Sequence, residues 1–156
     1  TDYQCPFCRQ MHPRLTALAM EDGNVRIVFK DWAIFGQPSI EAARRALAAK
    51  YQGKDQAFDD ALMQIQGKLS SEKIRAAADQ AGVDWQRLES DLKSHGKELE
   101  AALARADRQA GMLGISGTPA MFVGPYLVAG ALPPEQLRQA VAIARQYPNG
   151  NAPEAR

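Results

Sequence analysis

The hydrophobic positions change their spacing three times along the chain, and the changes mark its elements. From about Pro6 to Met20 the chain is expected to be helical. It opens on a proline whose φ already suits a first helical turn and whose missing N–H would have had no partner there. Pro13, inside this helix, removes one hydrogen bond and should kink it. Asp22-Gly23-Asn24 is a turn, and Val25-Arg26-Ile27-Val28-Phe29-Lys30, short and rich in β-branched residues, predicts a strand. Asp31 to Gln37, with Trp32, Ile34 and Phe35, is expected as an apolar connecting loop ending at Pro38-Ser39.

From Ser39 to about Leu113 the helical period takes over. Ile40, Ala43, Leu47 and Tyr51 fall on one face, and Phe58, Leu62 and Ile65 on another. Ser70-Ser71 and Asp84 supply caps for two further helices, with Ile74, Ala77, Ala78 and Ala81 inward in the first and Trp85, Leu88 and Leu92 in the second. Gly82 and Gly96 stop them, and Leu99, Leu103, Ala106, Ala110 and Leu113 mark a longer helix that ends near Gly114. These stripes predict core. The alternating pattern then returns: Ala120–Val123 and Tyr126–Ala129 flank Gly124-Pro125, which predicts a hairpin. Pro133-Pro134-Glu135 opens a last helix with Leu137, Ala140, Val141 and Ala144 on one side, and Tyr147 to Arg156 is expected to be a frayed tail. There is no internal repeat and no low-complexity stretch.

Composition narrows the possibilities. A chain of 156 residues, 46% of them hydrophobic, can bury one sizeable core with a subdomain. Its 19 basic and 18 acidic residues leave a net charge of +1 and are spread along the chain, which gives no electrostatic case for nucleic acid or an anionic membrane. No apolar run approaches membrane-spanning length, so no membrane insertion is expected. No signal peptide is visible, and the opening residue is Thr1, which suggests a processed or trimmed N-terminus.

The candidate chemistry lies in Cys5-Pro6-Phe7-Cys8, which holds the only two cysteines. Thiols at i and i+3 on a first helical turn can close and reopen a disulfide. A thiolate at the first would face unpaired backbone N–H groups and the positive end of the helix dipole, both of which favour the anion. The pair reads as a redox dithiol and not a structural staple. Half a zinc site is the alternative. The remaining ligands would then be His12 and His95, which lie too far apart for the usual finger spacing. Copper(I) suits the soft donors better, with Met11 and His12 one turn on.

The order dithiol helix, strand, helical block, hairpin, helix resembles the DsbA-like members of the thioredoxin superfamily, bacterial thiol-disulfide oxidoreductases with a helical domain inserted into a thioredoxin fold. The likeness runs from Asp2-Tyr3-Gln4-Cys5-Pro6-Phe7-Cys8 through Val28-Phe29-Lys30 to Gly117-Thr118-Pro119-Ala120 and Val128-Ala129-Gly130. It implies an α/β fold with a thioredoxin-like domain over 1–37 and 114–147, an all-helical insert over 38–113 and a flexible tail over 148–156. It implies Cys5 as the exposed nucleophile and Cys8 as the more buried resolving thiol, joined as a redox-active disulfide, with no other cofactor and no metal. Pro119 would be a cis-proline facing the dithiol, and Thr118 would offer its backbone to an extended substrate. Pro6 and Phe7 would tune the motif. The implied setting is periplasmic or extracytoplasmic and bacterial. Unfolded or misoxidised proteins would be the substrates, and a membrane redox partner (DsbB-like or DsbD-like) would recycle the dithiol.

Three departures qualify the likeness. Phe7 stands where the archetypal member has a histidine, and a phenyl ring carries no charge to stabilise a thiolate, so a less oxidising pair is expected. Thr118 is commoner in the isomerase-like and reductase-like branches. Only four residues precede Cys5, although thioredoxin-like folds place a central strand there. The expectation is that the protein extends upstream or that a partner chain supplies the strand. The acidic residue the family often keeps in that strand, beside a buried lysine equivalent to Lys30, would also fall outside this sequence.

Overall fold

The computed structural model describes residues 1–152. Helix α1 spans Pro6–Asp22 with Cys5 at its N-cap, and it continues through Pro13. The helical block contains α2 (Gln37–Ala49), a 3-10 turn (Lys50–Gln52), α3 (Asp55–Met63), α4 (Ser71–Gln80), α5 (Trp85–Ser94) and α6 (Gly96–Met112). A hairpin follows, β1 (Ala120–Val123) and β2 (Tyr126–Ala129), and then α7 (Pro134–Gln146).

The helix caps form where the sequence places them. Ser70 Oγ accepts from the N–H of Lys73 and Asp84 Oδ1 from that of Arg87. The hairpin is antiparallel, Ala120 opposite Ala129 and Val123 opposite Tyr126, around the two-residue turn Gly124-Pro125. Gly124 has φ +58°, and a Cβ there would meet the Ala144 Cβ of α7 at 3.0 Å, so both the turn and the helix contact call for glycine. The α/β character holds, with the helices outweighing a two-stranded sheet among the described residues.

Two expectations are corrected. Val25–Lys30 is not a strand: no ladder forms along it, and Val28 and Phe29 are exposed. Among the described residues only Thr1 pairs with the end of this segment. The Thr1 nitrogen donates to Lys30 O at 2.7 Å, and the Trp32 N–H donates to Thr1 O at 2.8 Å, the bonding of a parallel pair. Beyond that point a mostly apolar cavity of about 780 Å³ separates this segment from β1. The core face of α2 is also wider than the expected stripe of Ile40, Ala43, Leu47 and Tyr51: Ala43 is buried and Leu47 and Tyr51 pack against the core, but Ser39, Ala42, Ala46, Ala48 and Ala49 are buried with them. This helix packs against α3, α4, α5 and α6 at once, and small side chains permit that approach.

Two apolar clusters meet along α1. The larger joins the helical block to Tyr3, Cys5 and Cys8 at its start. The smaller joins Met11 and Leu18 to Leu137 of α7, with Leu15, Met121 and Val141 around them. Arg145 of α7 clasps Asp22 through two hydrogen bonds of 2.8 and 2.6 Å. Residues 148–152 of the expected tail lie against the hairpin, where the Ala152 N–H donates to Tyr126 Oη at 3.2 Å. The rest of that stretch, 153–156, lies outside the described residues.

Asp2 ties the segment before the dithiol to the block. Its buried carboxylate accepts from the N–H groups of Gln4 (2.7 Å), Ile34 (2.7 Å) and Phe35 (3.2 Å) and from Ser39 Oγ (2.8 Å). Hydrogen bonds to a charged acceptor are among the stronger ones, and buried donors left without one are costly. Asp2→Ala is therefore expected to lose about 3 kcal/mol or more of stability. The loss would be read as a lower denaturant midpoint at unchanged m-value, with Asp2→Asn losing less because its amide oxygen still accepts. An Asp2→Ala midpoint equal to the parent's would refute this role.

Candidate functional site

Both cysteines are free thiols on the first turn of α1, where the carbonyl of Cys5 accepts the N–H of Arg9 at 3.1 Å. The Thr118–Pro119 peptide is cis, and it presents the Thr118 carbonyl to the dithiol: Cys5 Sγ–H donates to Thr118 O at 3.2 Å. Residues 113 positions apart in sequence are thus brought together. Pro6 and Phe7 lie at the surface beside them, Phe7 59% exposed.

Exposure departs from expectation. Cys5, expected at the surface, is 1% exposed, as deeply covered as Cys8 at 2%. The turn carrying Thr118 lies over the sulfur and shields it. Burial pushes the Cys8 thiol up, against the opposing pull of the Thr118 side chain and the Asp2 backbone.

Phe7 brings no charge, but Arg9 does. Its guanidinium donates to Tyr3 O (2.7 Å) and Gly67 O (2.6 Å). Burial lowers its pKa, and the nearby Asp2 and Cys5 oppose that shift, so a cation sits within electrostatic reach of the first sulfur. The sequence reading passed over Arg9, whose position i+4 from Cys5 on one helix face was the available signal.

The other residues the sequence singled out disperse. Lys30 is exposed, not buried, and its ammonium donates to Gln109 Oε1 at 3.1 Å. His95 stacks on Tyr51 in the helical block, ring centroids 3.9 Å apart, and does not join the cysteines and His12 in a zinc site. The Met11 sulfur accepts the Leu132 N–H at 3.2 Å, and His12 turns to Asp59 and Asp60. Asp31, also passed over, lies near Tyr3 and Asp59. Burial, reinforced by the Asp59 carboxylate, pushes Asp31 up to about 7, with the Tyr3 hydroxyl opposing.

A dithiol on a helix N-terminus, faced by a cis-proline turn on an α/β frame, defines the class of thiol-disulfide oxidoreductase domains. Residues 1–142 match the family model described as "DSBA-like thioredoxin domain". The chain belongs to that family. It is similar to a thioredoxin-like oxidoreductase from Silicibacter pomeroyi, with 39% identity and a TM-score of 0.88 over 94% of this chain and 83% of that one. It is similar also to the thiol-disulfide exchange protein alpha-DsbA2 from Wolbachia pipientis (28%, TM-score 0.86, 91% and 77%). A third likeness is to a periplasmic thioredoxin-like protein from Salmonella enterica serovar Typhimurium (28%, TM-score 0.77, 91% and 79%). Among curated proteins it is 28% identical over 150 residues to the Na(+)/H(+) antiporter NhaA 1 of Salinispora arenicola, a match covering 92% of this chain and 22% of that protein. The chain thus spans less than a quarter of that relative. Among the described residues no helix is long and apolar enough to cross a membrane.

The Asp31 shift carries a pH signature. A carboxyl whose folded pKa stands near 7 binds its proton more tightly than in the unfolded chain, where it titrates near 3.9. The stability this supplies is complete below the unfolded value and is lost as pH rises through about 7. Asp31→Asn is expected to raise the thermal midpoint at pH 8 and to change it little at pH 4. Equal shifts at the two pH values would show that Asp31 does not titrate as described.

Proposed function

We propose that this domain exchanges disulfides with cysteines of secreted or periplasmic proteins through Cys5 and Cys8, working chiefly as an oxidase. The observation that carries the reading is the contact of Cys5 Sγ with the Thr118 carbonyl, one helical turn from Cys8, where a reacting sulfur and a backbone docking edge coincide. Membership of the DSBA-like family and the likeness to a thiol-disulfide exchange protein support it.

A substrate thiolate attacks Cys5 of the Cys5–Cys8 disulfide; a mixed disulfide forms, and Cys8 leaves as a thiolate. Burial favours the neutral thiol there, so Cys8 takes up a proton on leaving. A second substrate thiolate then attacks the substrate sulfur and releases Cys5. The substrate loses two electrons to the Cys5–Cys8 disulfide, which becomes the dithiol, and a membrane redox partner of DsbB-like kind reoxidises it; in the isomerase or reductase alternative a DsbD-like partner would instead keep it reduced. Thr118 holds the substrate backbone as an added strand, and Pro119 holds Thr118 against the sulfur. Pro6 shapes the turn, and Phe7 offers apolar contact at the rim. The periplasmic relative supports an extracytoplasmic site of action.

The test is trapping. Cys8→Ala is expected to accumulate mixed disulfides with a reduced, unfolded protein substrate, and Cys5→Ala to form none. Adducts that form equally without Cys5 would overturn the assignment. In the parent, resolution of a Cys5–glutathione adduct by Cys8 is expected to accelerate with pH beyond the ordinary thiol range near 8.5, because burial raises Cys8. A plateau below that value would refute it.

A further inference from the structure

One buried polar group takes no part in this exchange. His12 follows Cys8 by one turn of α1, is 7% exposed, and packs its ring near that of Phe29, centroids 5.0 Å apart. Its Nε2 lies 2.6 Å from Asp60 Oδ1. Its Nδ1 is buried and makes no hydrogen bond among the described residues, yet it faces Asp59 Oδ2 at 3.5 Å. The other oxygen of Asp59, Oδ1, accepts the Tyr3 hydroxyl at 2.6 Å.

Each of the two facing groups is therefore held from behind. With Nε2–H donated to Asp60, the imidazole has its lone pair on Nδ1, turned to Asp59. With Tyr3 on Oδ1, the Asp59 carboxylate presents Oδ2. Imidazole and carboxylate ligands of bound metals are oriented in this way, by a carboxylate on the far ring nitrogen and a donor on the far oxygen. The gap between Nδ1 and Oδ2 is too long for an N–H···O bond. It is close to the edge, roughly 3.4 Å, of a tetrahedron with zinc–ligand bonds of about 2.0–2.1 Å.

Charge points the same way. Asp59 and Asp60 have their described ion pairs with His12 alone, and Asp31 nearby keeps a buried oxygen without a hydrogen bond. A cation held there would neutralise carboxylate charge that no described lysine or arginine pairs with. One donor atom from each of His12, Asp59 and Asp60 lies within 4.8 Å of the others. The Asp60 side chain is 42% exposed and leaves an entry from solvent.

We propose that His12 Nδ1 and Asp59 Oδ2 bind a divalent cation of the zinc class, with Asp60 and Tyr3 as positioning residues and water completing the shell. Imidazole with carboxylate selects zinc-class ions over magnesium or calcium, which prefer all-oxygen sites. The ion would clamp the dithiol helix α1 to α3. The site is independent of the exchange reading, because neither cysteine is a ligand.

The experiment titrates Zn²⁺ calorimetrically against the full chain carrying Cys5→Ser and Cys8→Ser, so that thiolates cannot bind, with Co²⁺ absorption as a second readout. One equivalent is expected, with cobalt ligand-field bands and no thiolate charge-transfer band, and with a thermal midpoint that rises with added Zn²⁺. His12→Gln and Asp59→Asn in that background should abolish saturable binding, and Asp60→Asn should weaken it about 10- to 100-fold. No saturable binding by the parent, or binding unchanged in His12→Gln and Asp59→Asn, would overturn the proposal. If those two variants fail to fold, Asp60→Asn at its half-exposed position decides, and undiminished affinity there would overturn it.

Discussion

The carboxylate of Asp2 is the constraint on which the geometry of the site depends. Two oxygens gather donors from three separate stretches: the turn into the dithiol, the loop through Ile34 and Phe35, and the start of α2 at Ser39. A buried carboxylate is tolerable only when its lone pairs are filled, and here four donors fill them. Because the Asp2 carbonyl also accepts the Cys5 N–H at 3.2 Å, the position of the first sulfur follows from that of one acid. The helical block and the dithiol helix are thereby fixed to each other before any side chain of the motif is considered.

Around that anchor the site combines opposing electrostatic pressures. Burial disfavours a thiolate at Cys8, while a helix N-terminus and the Arg9 guanidinium bring positive potential to the turn that starts at Cys5. The absence of a histidine at Phe7 removes one source of positive charge and leaves Arg9 in place. Both sulfurs are buried alike, and what sets Cys5 apart is its hydrogen bond to the Thr118 carbonyl with the Arg9 guanidinium within electrostatic reach.

Local signals were legible and distant ones were not. The hairpin could be read because Gly124-Pro125 and two short apolar runs specify both turn and register. Helix α1 and the caps at Ser70 and Asp84 could be read for the same reason: their donors and acceptors lie within one turn. Val25–Lys30 carries a strand's composition, but among the described residues it pairs only at its end, with Thr1, and propensity alone does not make a ladder. On α2 the single stripe was too narrow: Ala43, Leu47 and Tyr51 reach the core as expected, but a helix surrounded by four others also buries small residues such as Ala42 and Ala46, which periodicity does not single out. Pro119 and Cys5 could be joined only through resemblance to a family. His12 with Asp60, 48 positions apart, and Tyr3 with Asp59, 56 apart, leave no trace in spacing at all.

The burial of Cys5 has a consequence for how a client would be received. A sulfur 1% exposed and bonded to a backbone carbonyl cannot be approached by a free-standing thiol without loss of that contact. An extended chain can repay the loss, because its own main chain can pair with the edge that Thr118 belongs to, exchanging one hydrogen bond for others of the same kind. Folded clients cannot offer such a segment; unfolded ones can. Phe7, inside the dithiol turn and exposed, would add apolar contact of low specificity. On the exchange function proposed above, selection at this site would rest on backbone accessibility and on a few hydrophobic side chains.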